Sequence, residues 1–303
     1  MQGLEVEEVL DVSPWRKWIA VQARIPGKEG KAVVLLEKKP FDVEDVKRML
    51  APNAGAEYKL DFQNAEYCVY NLQVPPALNA IKCDTIFPAT DQQINKYRKD
   101  EIHVLWETVD IYKNVVLPFV EENERGRRIQ WVHNILDGSA EQERIIYHNN
   151  DPRDGFVLLP DLKWDQTNVS NLYCLAIVNR KDLVCLRSLN DENLDLLQNI
   201  YHQGCGAILE KYGVTPDKLI VHIHYLPTFW HLHVHFLHVD LALSAGVTSK
   251  AHNLRDCIEN IRLLPSYYQV KEMEVRLLEK SLLWKAWTEA KDAEAATQLQ
   301  DGP

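Results

Sequence analysis

The sequence lacks several features that would mark a special class of protein. Only 12 of its 303 residues are glycine and 14 are proline, and it has no internal repeat, which excludes collagen-like, low-complexity and repeat chains. No apolar run approaches the roughly 18 residues that span a bilayer, and the start, MQGLEVEEVLDV, is acidic where a signal peptide is basic and then apolar. We therefore expect a soluble protein of the cytoplasm, with residence in the nucleus left open.

The cysteines also form no recognisable pattern. A CxxC pair is absent, which argues against a zinc ribbon, a redox dithiol or a dense disulfide framework. We expect six reduced and mostly buried thiols: Cys68, Cys83, Cys174, Cys185, Cys205 and Cys257.

The charge balance is acidic, with 34 Lys and Arg against 44 Asp and Glu, a formal net charge of −10. A field of that sign repels a long nucleic acid, although a small anionic ligand can still bind in a pocket. The composition, 46% hydrophobic and 26% charged, is otherwise that of a globular protein, and the length favours about two domains.

The first third of the sequence predicts a small α+β module. Two hairpins are indicated, one from residues 16–25 and 31–38 and one from 57–63 and 66–74, with a short helix capped by Asp42 between them. After the candidate cap Thr90, apolar residues at helical spacing predict a long helix or helix pair over 91–122, broken near Pro118.

The remainder predicts an antiparallel sheet with helices. A helix is predicted from the cap Asn190 to Gly213, and a polar-edged helix is predicted over 281–300. The predicted strands are WVHNILD, ERIIYHN, GFVLLPDLKW, LYCLAIVN, LIVHIHYL and HLHVHFLHV. The fold class is therefore α+β, with an N-terminal domain over 1–100, a helical hinge over 101–125 and a C-terminal domain over 126–303.

Histidine is concentrated in one place. Five of the 11 histidines lie within HIHYLPTFWHLHVHFL, residues 222–237. Side chains alternate between the faces of a strand, so His231, His233 and His235 are predicted on one face, with the intervening apolar residues in the core. If the preceding strand pairs with this one, His222 and His224 join the cluster.

Two chemistries suit such a row. Three neutral imidazoles could bind Zn²⁺ and leave a position open for water, as in a metal hydrolase. Alternatively the central imidazole could attack phosphorus directly while its neighbours donate hydrogen bonds to phosphate oxygens. The spacing alone does not separate them, although the alternation of histidine and apolar residues favours the second, which needs no metal.

HLHVHFL resembles the His-φ-His-φ-His-φ-φ signature of the histidine triad superfamily. The wider sequence is similar to one branch, the scavenger mRNA-decapping enzymes, through WVHNILD…AE, DGFVLLPDLKW, LRSL…HQG and HYLPTFWHLHVHF, in the same order and spacing. The similarity runs from about Arg16 to the end of a helix that we expect after Ala251, and is dense from Trp131 to Phe236.

The resemblance implies hydrolysis of m7GpppN dinucleotides and short capped fragments left by 3′-to-5′ mRNA decay, releasing m7GMP and a diphosphate. It implies that His233 is the nucleophile and forms a covalent nucleotidyl-histidine. His231 and His235 would orient it and bind phosphate, and His224 would stabilise the transferring phosphoryl group. No cofactor and no metal are implied.

The resemblance also implies how the cap is recognised. Trp131 would stack on the cationic 7-methylguanine, and Glu141 would accept hydrogen bonds from its Watson–Crick edge. Without the resemblance, a core tryptophan would be the better interpretation of Trp131.

Further positions match residues that line the base, ribose and phosphates: Pro160, Asp161, Lys163, Tyr225 and Thr228. An isolated Asp-x-Lys is by itself more typical of a turn aspartate and a solvated lysine.

Four positions depart from the family. Thr228 stands where serine is common, which retains a hydroxyl. Lys250 stands where an arginine usually grips the phosphates, which keeps the charge and loses the bidentate fork. Phe229 and Trp230 replace tyrosines, and Phe229 thereby loses a hydroxyl.

The resemblance finally implies a homodimer in which N-terminal dimerisation and lid domains exchange between protomers. The expected partners are capped substrate and a second copy, with no membrane and no long nucleic acid. Three other functions stay open: a generic histidine triad phosphoramidase or dinucleotide hydrolase, a zinc hydrolase, and a cap-binding protein without catalysis.

Overall fold

The computed structural model describes residues 3–52, 54–245 and 250–300, and side chains within them except at 126–127, 243–245 and 294–300. The chain divides into two compact units, Met1–Asp100 and Glu101–Pro303. Both units contain helices and antiparallel strands, so the predicted α+β class is confirmed.

The N-terminal unit contains a four-stranded antiparallel sheet in the order β1-β2-β3-β6 and a separate hairpin, β4–β5. Its strands are β1 (Glu5–Ser13), β2 (Trp18–Arg24), β3 (Lys31–Lys38), β4 (Glu57–Asn64), β5 (Tyr67–Gln73) and β6 (Ile81–Ala89). Its helices are α1 (Val43–Met49) and α2 (Asp91–Tyr97). Both predicted hairpins are confirmed, whereas the sequence analysis missed β1 and β6.

The predicted helix caps of this unit are also confirmed. The Asp42 carboxylate accepts hydrogen bonds from the backbone N–H groups of Glu44 and Asp45 at the start of α1. Thr90 forms a capping box with Gln93 at the start of α2. Each cap satisfies backbone donors that the first helical turn leaves without partners.

The C-terminal unit is built on a six-stranded antiparallel sheet in the order β13-β11-β12-β10-β9-β8. A second sheet pairs β7 with β14. The strands are β7 (Ile102–Glu107), β8 (Tyr147–His148), β9 (Phe156–Pro160), β10 (Tyr173–Val178), β11 (Leu219–His224), β12 (His233–His238), β13 (Ala251–Asn253) and β14 (Met273–Leu278).

Eight α-helical segments are described in this unit, counted over residues 101–245 and 250–300: α3 (Val109–Ile111), α4 (Leu117–Asn123), α5 (Gln130–Leu136), α6 (Leu194–Tyr212), α7 (Val239–Ala245), α8 (Leu254–Leu263), α9 (Tyr267–Val270) and α10 (Leu282–Gln300). The predicted helix ending at Gly213 is confirmed as α6, where Gly213 has a positive φ of 71°. The predicted terminal helix is confirmed as α10. Across the described ranges, none of the helices combines the length and the apolar character that a bilayer crossing needs.

The long helix or helix pair predicted over 91–122 and the helical hinge predicted over 101–125 are wrong at residues 102–107, whereas the chain is helical again from residue 109 to residue 123. Residues 102–107 form β7, which pairs antiparallel with β14 in a register from Ile102↔Leu278 to Glu107↔Met273. Apolar residues lie on both faces of β7, so the sequence combines a strand period with spacings that also match a helix. These residues form a strand because they pair with β14, some 170 residues away, and such distant pairing leaves no trace in the local periodicity.

The predicted break at Pro118 is also absent. A π-helical stretch, Tyr112–Val116, connects α3 to α4, and Pro118 lies in the first turn of α4. Proline is tolerated there because the first-turn N–H groups need no partner within their own α-helix.

WVHNILD was predicted as a strand and forms α5 instead. Val132 and Ile135, three residues apart, are both buried on one side of this helix and pack in a small core cluster with Ile129. Of ERIIYHN, only Tyr147–His148 is a strand. The other four strands predicted in this unit are confirmed as β9, β10, β11 and β12.

Helix α6 packs behind β12. A Cβ atom at Gly204 would lie 2.5 Å from the Phe236 ring, so only glycine permits this approach of helix to strand. Phe236 and Val234 are fully buried in the main core. The apolar face of β12 is thereby fixed against a helix, which leaves the opposite face for other chemistry.

Candidate active site

The predicted histidine face exists. Strands β11 and β12 pair antiparallel with His222 directly opposite His235. Leu232, Val234 and Phe236 enter the core, as the alternation predicted. Strand β12 begins only at His233, so His231 lies just before it. Four imidazoles cluster on the face, and His231 stands at its end.

His233 is held with one ring nitrogen available. Its Nδ1–H donates to the carbonyl oxygen of His231 at 2.7 Å, which places the lone pair on Nε2. That Nε2 is buried and has no hydrogen-bond partner among the described side chains and backbone. The Phe229 ring stacks on the imidazole, with centroids 3.8 Å apart and planes 15° from parallel. The ring is therefore fixed in both tautomer and orientation.

Burial keeps the cluster uncharged. Burial, together with a smaller effect of the positive charge of Lys250, lowers the pKa of His233 and His222 to about 4 and that of His224 to about 3. The pKa of His235 is also well below its ordinary value for the same first reason. At neutral pH each imidazole thus carries a basic nitrogen and an N–H.

His235 and His224 lie beside the nucleophile candidate. The ring centroid of His235 lies 4.9 Å from that of His233 and 4.0 Å from that of His224. The Tyr173 hydroxyl is hydrogen-bonded to Nδ1 of His235 at 2.9 Å, so its Nε2 remains for a ligand. The sequence analysis missed Tyr173, because nothing in its sequence neighbourhood indicates a partner 62 residues away.

His231 orients the site through its backbone. Its carbonyl receives the N–H of His233, and its own Nε2–H donates to the Val178 carbonyl at 2.8 Å. Its ring centroid lies 6.3 Å from that of His133, a residue that the sequence analysis did not select. The geometry supports the predicted orienting role of His231.

Trp131 is on the surface rather than in the core. It projects from α5 with 41% of its surface exposed, and it meets Phe229 edge to face at 4.8 Å. Because Phe229 in turn stacks on His233, a line of rings connects the indole to the histidine face. An exposed indole at this place can stack on a flat ligand.

Glu141 belongs to a polar cluster with a residue that the sequence analysis missed. Arg144 forms an ion pair with the Glu141 carboxylate and donates to the Pro160 carbonyl at 2.7 Å. Glu141 itself has a positive φ of 55°, which is uncommon outside glycine. The spacing of three residues between Glu141 and Arg144 could have indicated this ion pair.

Asp161 has the turn role that an isolated Asp-x-Lys suggests. Its Oδ1 accepts a hydrogen bond from the Lys163 backbone N–H at 2.8 Å. The Lys163 ammonium lies 5.6 Å from the Tyr173 ring centroid. Desolvation and, next, the charge of Lys163 lower the pKa of Lys250. The two lysines therefore bring positive charge to one side of the histidine face.

The prediction that Tyr225 contacts phosphate needs correction. Its ring is 1% exposed, and its hydroxyl donates to Glu107 Oε1 at 2.6 Å. Arg187 joins the same buried network, donating to Glu107 at 2.5 Å and to the carbonyls of Tyr268 and Lys271 at 3.0 Å each. The phenol supports the structure below the site because its hydroxyl is already engaged. Arg187 lies in the LRSL motif, so the sequence contained a signal for it.

Thr228 is exposed in the loop between β11 and β12, two residues after Leu226 and next to Phe229. Its predicted contact with phosphate stays a prediction.

In the part of the chain that the structure describes, two groups of side chains have donor atoms close enough to hold a metal ion. His222, His224 and His235 each offer one nitrogen, and the three atoms lie within 4.8 Å of one another, as do donor atoms of Glu101, His103 and Glu279. The first group differs from the predicted trio on β12, because it spans both strands and leaves out His233.

These features define the chemistry that the face can perform. A neutral imidazole with a bare and buried Nε2 is a nucleophile, and the adjacent imidazoles and lysines provide donors for an anion. The exposed indole at the other end of the ring line provides a flat binding surface. Together they suit attack on phosphorus in a ligand that has an aromatic group and a chain of phosphates.

Comparison with known proteins agrees with this geometry. Two family models match: "Scavenger mRNA decapping enzyme (DcpS) N-terminal" over residues 1–100 and "Scavenger mRNA decapping enzyme C-term binding" over residues 130–251.

Curated relatives extend the similarity over the chain. A protein of Homo sapiens named m7GpppX diphosphatase is 40% identical over 296 residues, 96% of this chain and 87% of the relative. A protein of the same name in Mus musculus is 41% identical over 280 residues, 91% and 82% of the two chains. One in Schizosaccharomyces pombe is 32% identical over 292 residues, 95% of both. The chain therefore belongs to the scavenger mRNA-decapping enzyme family.

Proposed function

We propose that this protein hydrolyses m7GpppN cap dinucleotides and short capped oligonucleotides, releasing m7GMP and a nucleoside or oligonucleotide diphosphate. The relatives named m7GpppX diphosphatase support the reaction and the capped substrate. The observation that carries the proposal is the bare Nε2 of His233, fixed by the hydrogen bond at Nδ1.

The reaction proceeds in two displacements. Nε2 of His233 attacks the phosphorus next to 7-methylguanosine, the P–O bond to the remaining diphosphate breaks, and the diphosphate leaves with its electron pair. Water then attacks the same phosphorus and releases one proton to solvent, the electron pair of the breaking P–N bond returns to Nε2, and m7GMP leaves while the imidazole becomes neutral again. Each displacement spreads negative charge over the phosphoryl oxygens.

The neighbours of His233 meet that charge. The neutral rings of His224 and His235 each donate an N–H to phosphoryl oxygens. They are neutral because burial lowers the pKa of both imidazoles. Lys163 and Lys250 bind the phosphate chain as point charges. His224 also assists the departing diphosphate through a hydrogen bond.

Trp131 and Glu141 select the methylated base. The indole face attracts the cationic 7-methylguanine, and the Glu141 carboxylate accepts from its N1 and N2 hydrogens. Arg144 holds Glu141 and the Pro160 carbonyl together, so that both acceptors face the base from fixed positions.

Association into a homodimer with exchanged N-terminal units is part of the proposal. Hairpin β4–β5 supports it, because Tyr58, Leu60 and Phe62 on β4 are each about half exposed, at 54%, 48% and 53%. Apolar side chains gathered on one hairpin are typical of a surface that a partner covers. Light scattering after size-exclusion chromatography should give twice the mass of one chain, and Phe62→Ser should lower it.

We propose the cytoplasm, and also the nucleus, as the location. All six cysteines are free thiols, four of them buried, which suits a reducing compartment. Imaging of the tagged protein tests this, and secretion would contradict it.

The proposed reaction is tested with m7GpppG in water enriched in heavy oxygen. Mass spectrometry of the products should find the label in m7GMP, since water attacks the phosphorus next to 7-methylguanosine. Label in GDP would contradict the assignment. Turnover of ApppA at an equal rate would favour the generic dinucleotide hydrolase, and binding without turnover would favour a cap-binding protein.

A further inference from the structure

His222 is the one histidine of the face that the proposed reaction does not use. It lies on β11 opposite His235, and only 1% of its surface is exposed. Its ring stacks on that of His235, with centroids 5.1 Å apart and planes 12° from parallel. Its Nε2 lies 3.1 Å from Nε2 of His224, and a hydrogen bond with the Ile220 backbone opposes the effect of burial on its pKa. A buried imidazole that the proposed reaction leaves unused needs a reason.

The positions of three nitrogens give that reason. His222, His224 and His235 offer one ring nitrogen each within 4.8 Å of one another. A tetrahedral ion with metal–nitrogen bonds of about 2.0–2.1 Å places its ligand nitrogens about 3.4 Å apart. The pair on β11 has nearly this spacing at 3.1 Å, and His235 offers the third nitrogen within 4.8 Å of both.

The surroundings are those of a metal site. The Tyr173 hydroxyl is hydrogen-bonded to Nδ1 of His235 and thereby presents its unpartnered Nε2, in the way that outer residues orient histidine ligands. Three imidazoles favour Zn²⁺, Co²⁺, Ni²⁺ or Cu²⁺ over Mg²⁺ or Ca²⁺, which prefer oxygen ligands.

We propose that His222, His224 and His235 form a binding site for a divalent transition-metal ion such as Zn²⁺, and that the bound ion inhibits the enzyme. Inhibition follows because the ion occupies nitrogens of His224 and His235, which phosphate would otherwise reach. The inhibitory part rests on the proposed function, whereas the binding part does not.

Binding is tested by titrating the metal-free protein with Co²⁺ and recording visible absorption. Wild type should develop the intense bands of a tetrahedral site. His222→Gln should weaken Co²⁺ binding by more than the roughly 10- to 100-fold typical of losing an outer residue, because a direct ligand is gone. The control is His252→Gln, which changes a half-buried histidine on neighbouring β13 and should bind Co²⁺ as wild type does. Equal binding by His222→Gln and wild type would overturn the site.

Inhibition is tested by measuring m7GpppG hydrolysis against added Zn²⁺, with each variant expressed relative to its own metal-free rate. Wild type and His252→Gln should be inhibited at Zn²⁺ concentrations that leave His222→Gln active. Activation by Zn²⁺ would overturn the inhibitory role and favour a zinc hydrolase. If the wild type hydrolysed no cap at all, the proposed function would fail, and the Co²⁺ titration would still decide whether the site exists.

Discussion

The histidine face of the C-terminal unit and hairpin β4–β5 of the N-terminal unit distribute polar and apolar side chains in opposite ways. The C-terminal unit buries polar groups: His222, His233 and His235 are 1%, 3% and 4% exposed, and an arginine and a glutamate lie beneath them. In the N-terminal unit, hairpin β4–β5 instead exposes tyrosine, leucine and phenylalanine. Burying a polar group costs free energy unless it is hydrogen-bonded, so the buried histidines are typical of a catalytic or binding site. The exposed apolar side chains of the hairpin are typical of a surface that another protein chain covers.

The largest effect is expected at the nucleophile. His233→Asn removes the attacking nitrogen and should lower kcat by at least about 10⁴-fold, as loss of a catalytic nucleophile does elsewhere. Affinity for m7GpppG should change little, since the indole, the carboxylate and the lysines remain. Rapid-quench kinetics and fluorescence titration check the two expectations, and residual turnover near wild type would place the chemistry elsewhere in the molecule.

Buried and exposed ion pairs sharpen the contrast between the units. Arg187 and Glu107 have side chains 1% and 0% exposed, so Arg187→Met leaves a buried carboxylate without its partner and should lower the free energy of unfolding by about 3–5 kcal/mol. Arg24, paired with Glu7 in the N-terminal unit, has a side chain 61% exposed, and Arg24→Met should cause no measurable change. Urea unfolding of the two variants measures both changes in the free energy of unfolding. Similar losses in Arg187→Met and Arg24→Met would contradict the difference between the buried and the exposed ion pair.

A pair of exposed tryptophans provides the next comparison. Trp131→Ala should weaken m7GpppG binding by about 10- to 100-fold, the range of stacking between a base and an aromatic side chain. Binding of unmethylated GpppG should weaken far less, because its base carries no positive charge. Trp106, 62% exposed on β7, is the matched control, and Trp106→Ala should leave both affinities unchanged. Equal losses for the two ligands in Trp131→Ala would contradict stacking on a cationic base.

The smallest change in the rate of cap hydrolysis is expected when metal ions are removed. Excess chelator should leave hydrolysis of m7GpppG unchanged, or raise it where the preparation carries zinc, because the nucleophile is an imidazole rather than metal-bound water. Elemental analysis before and after dialysis accompanies the rate measurement. Loss of activity that Zn²⁺ restores would identify a metal hydrolase.

The sequence predicted the histidine face well because the information there is local. Alternation at every second residue identified the strand around His233, and hydrophobic neighbours specified which face enters the core. Cap residues such as Asp42 and Thr90 marked helix starts for the same reason, since each acts within three residues of its own position.

The wrong predictions concern residues whose structure depends on contacts with distant parts of the chain. Residues 102–107 became a strand because β14 pairs with them, and WVHNILD became a helix because two apolar residues three apart fit a core cluster. The hydroxyl of Tyr225 is engaged by Glu107, 118 residues away, which no pattern near either residue reports. Predictions of side-chain roles therefore failed where a buried partner far along the chain competed with substrate.

The stereochemical course at phosphorus tests the central claim most directly. A cap analogue made chiral at the phosphorus next to 7-methylguanosine, with sulfur and an oxygen isotope, is hydrolysed in isotopically labelled water. Two in-line displacements, first by His233 and then by water, predict retention of configuration in the m7GMP analogue. Inversion would mean a single direct attack by water and would contradict a covalent histidine intermediate.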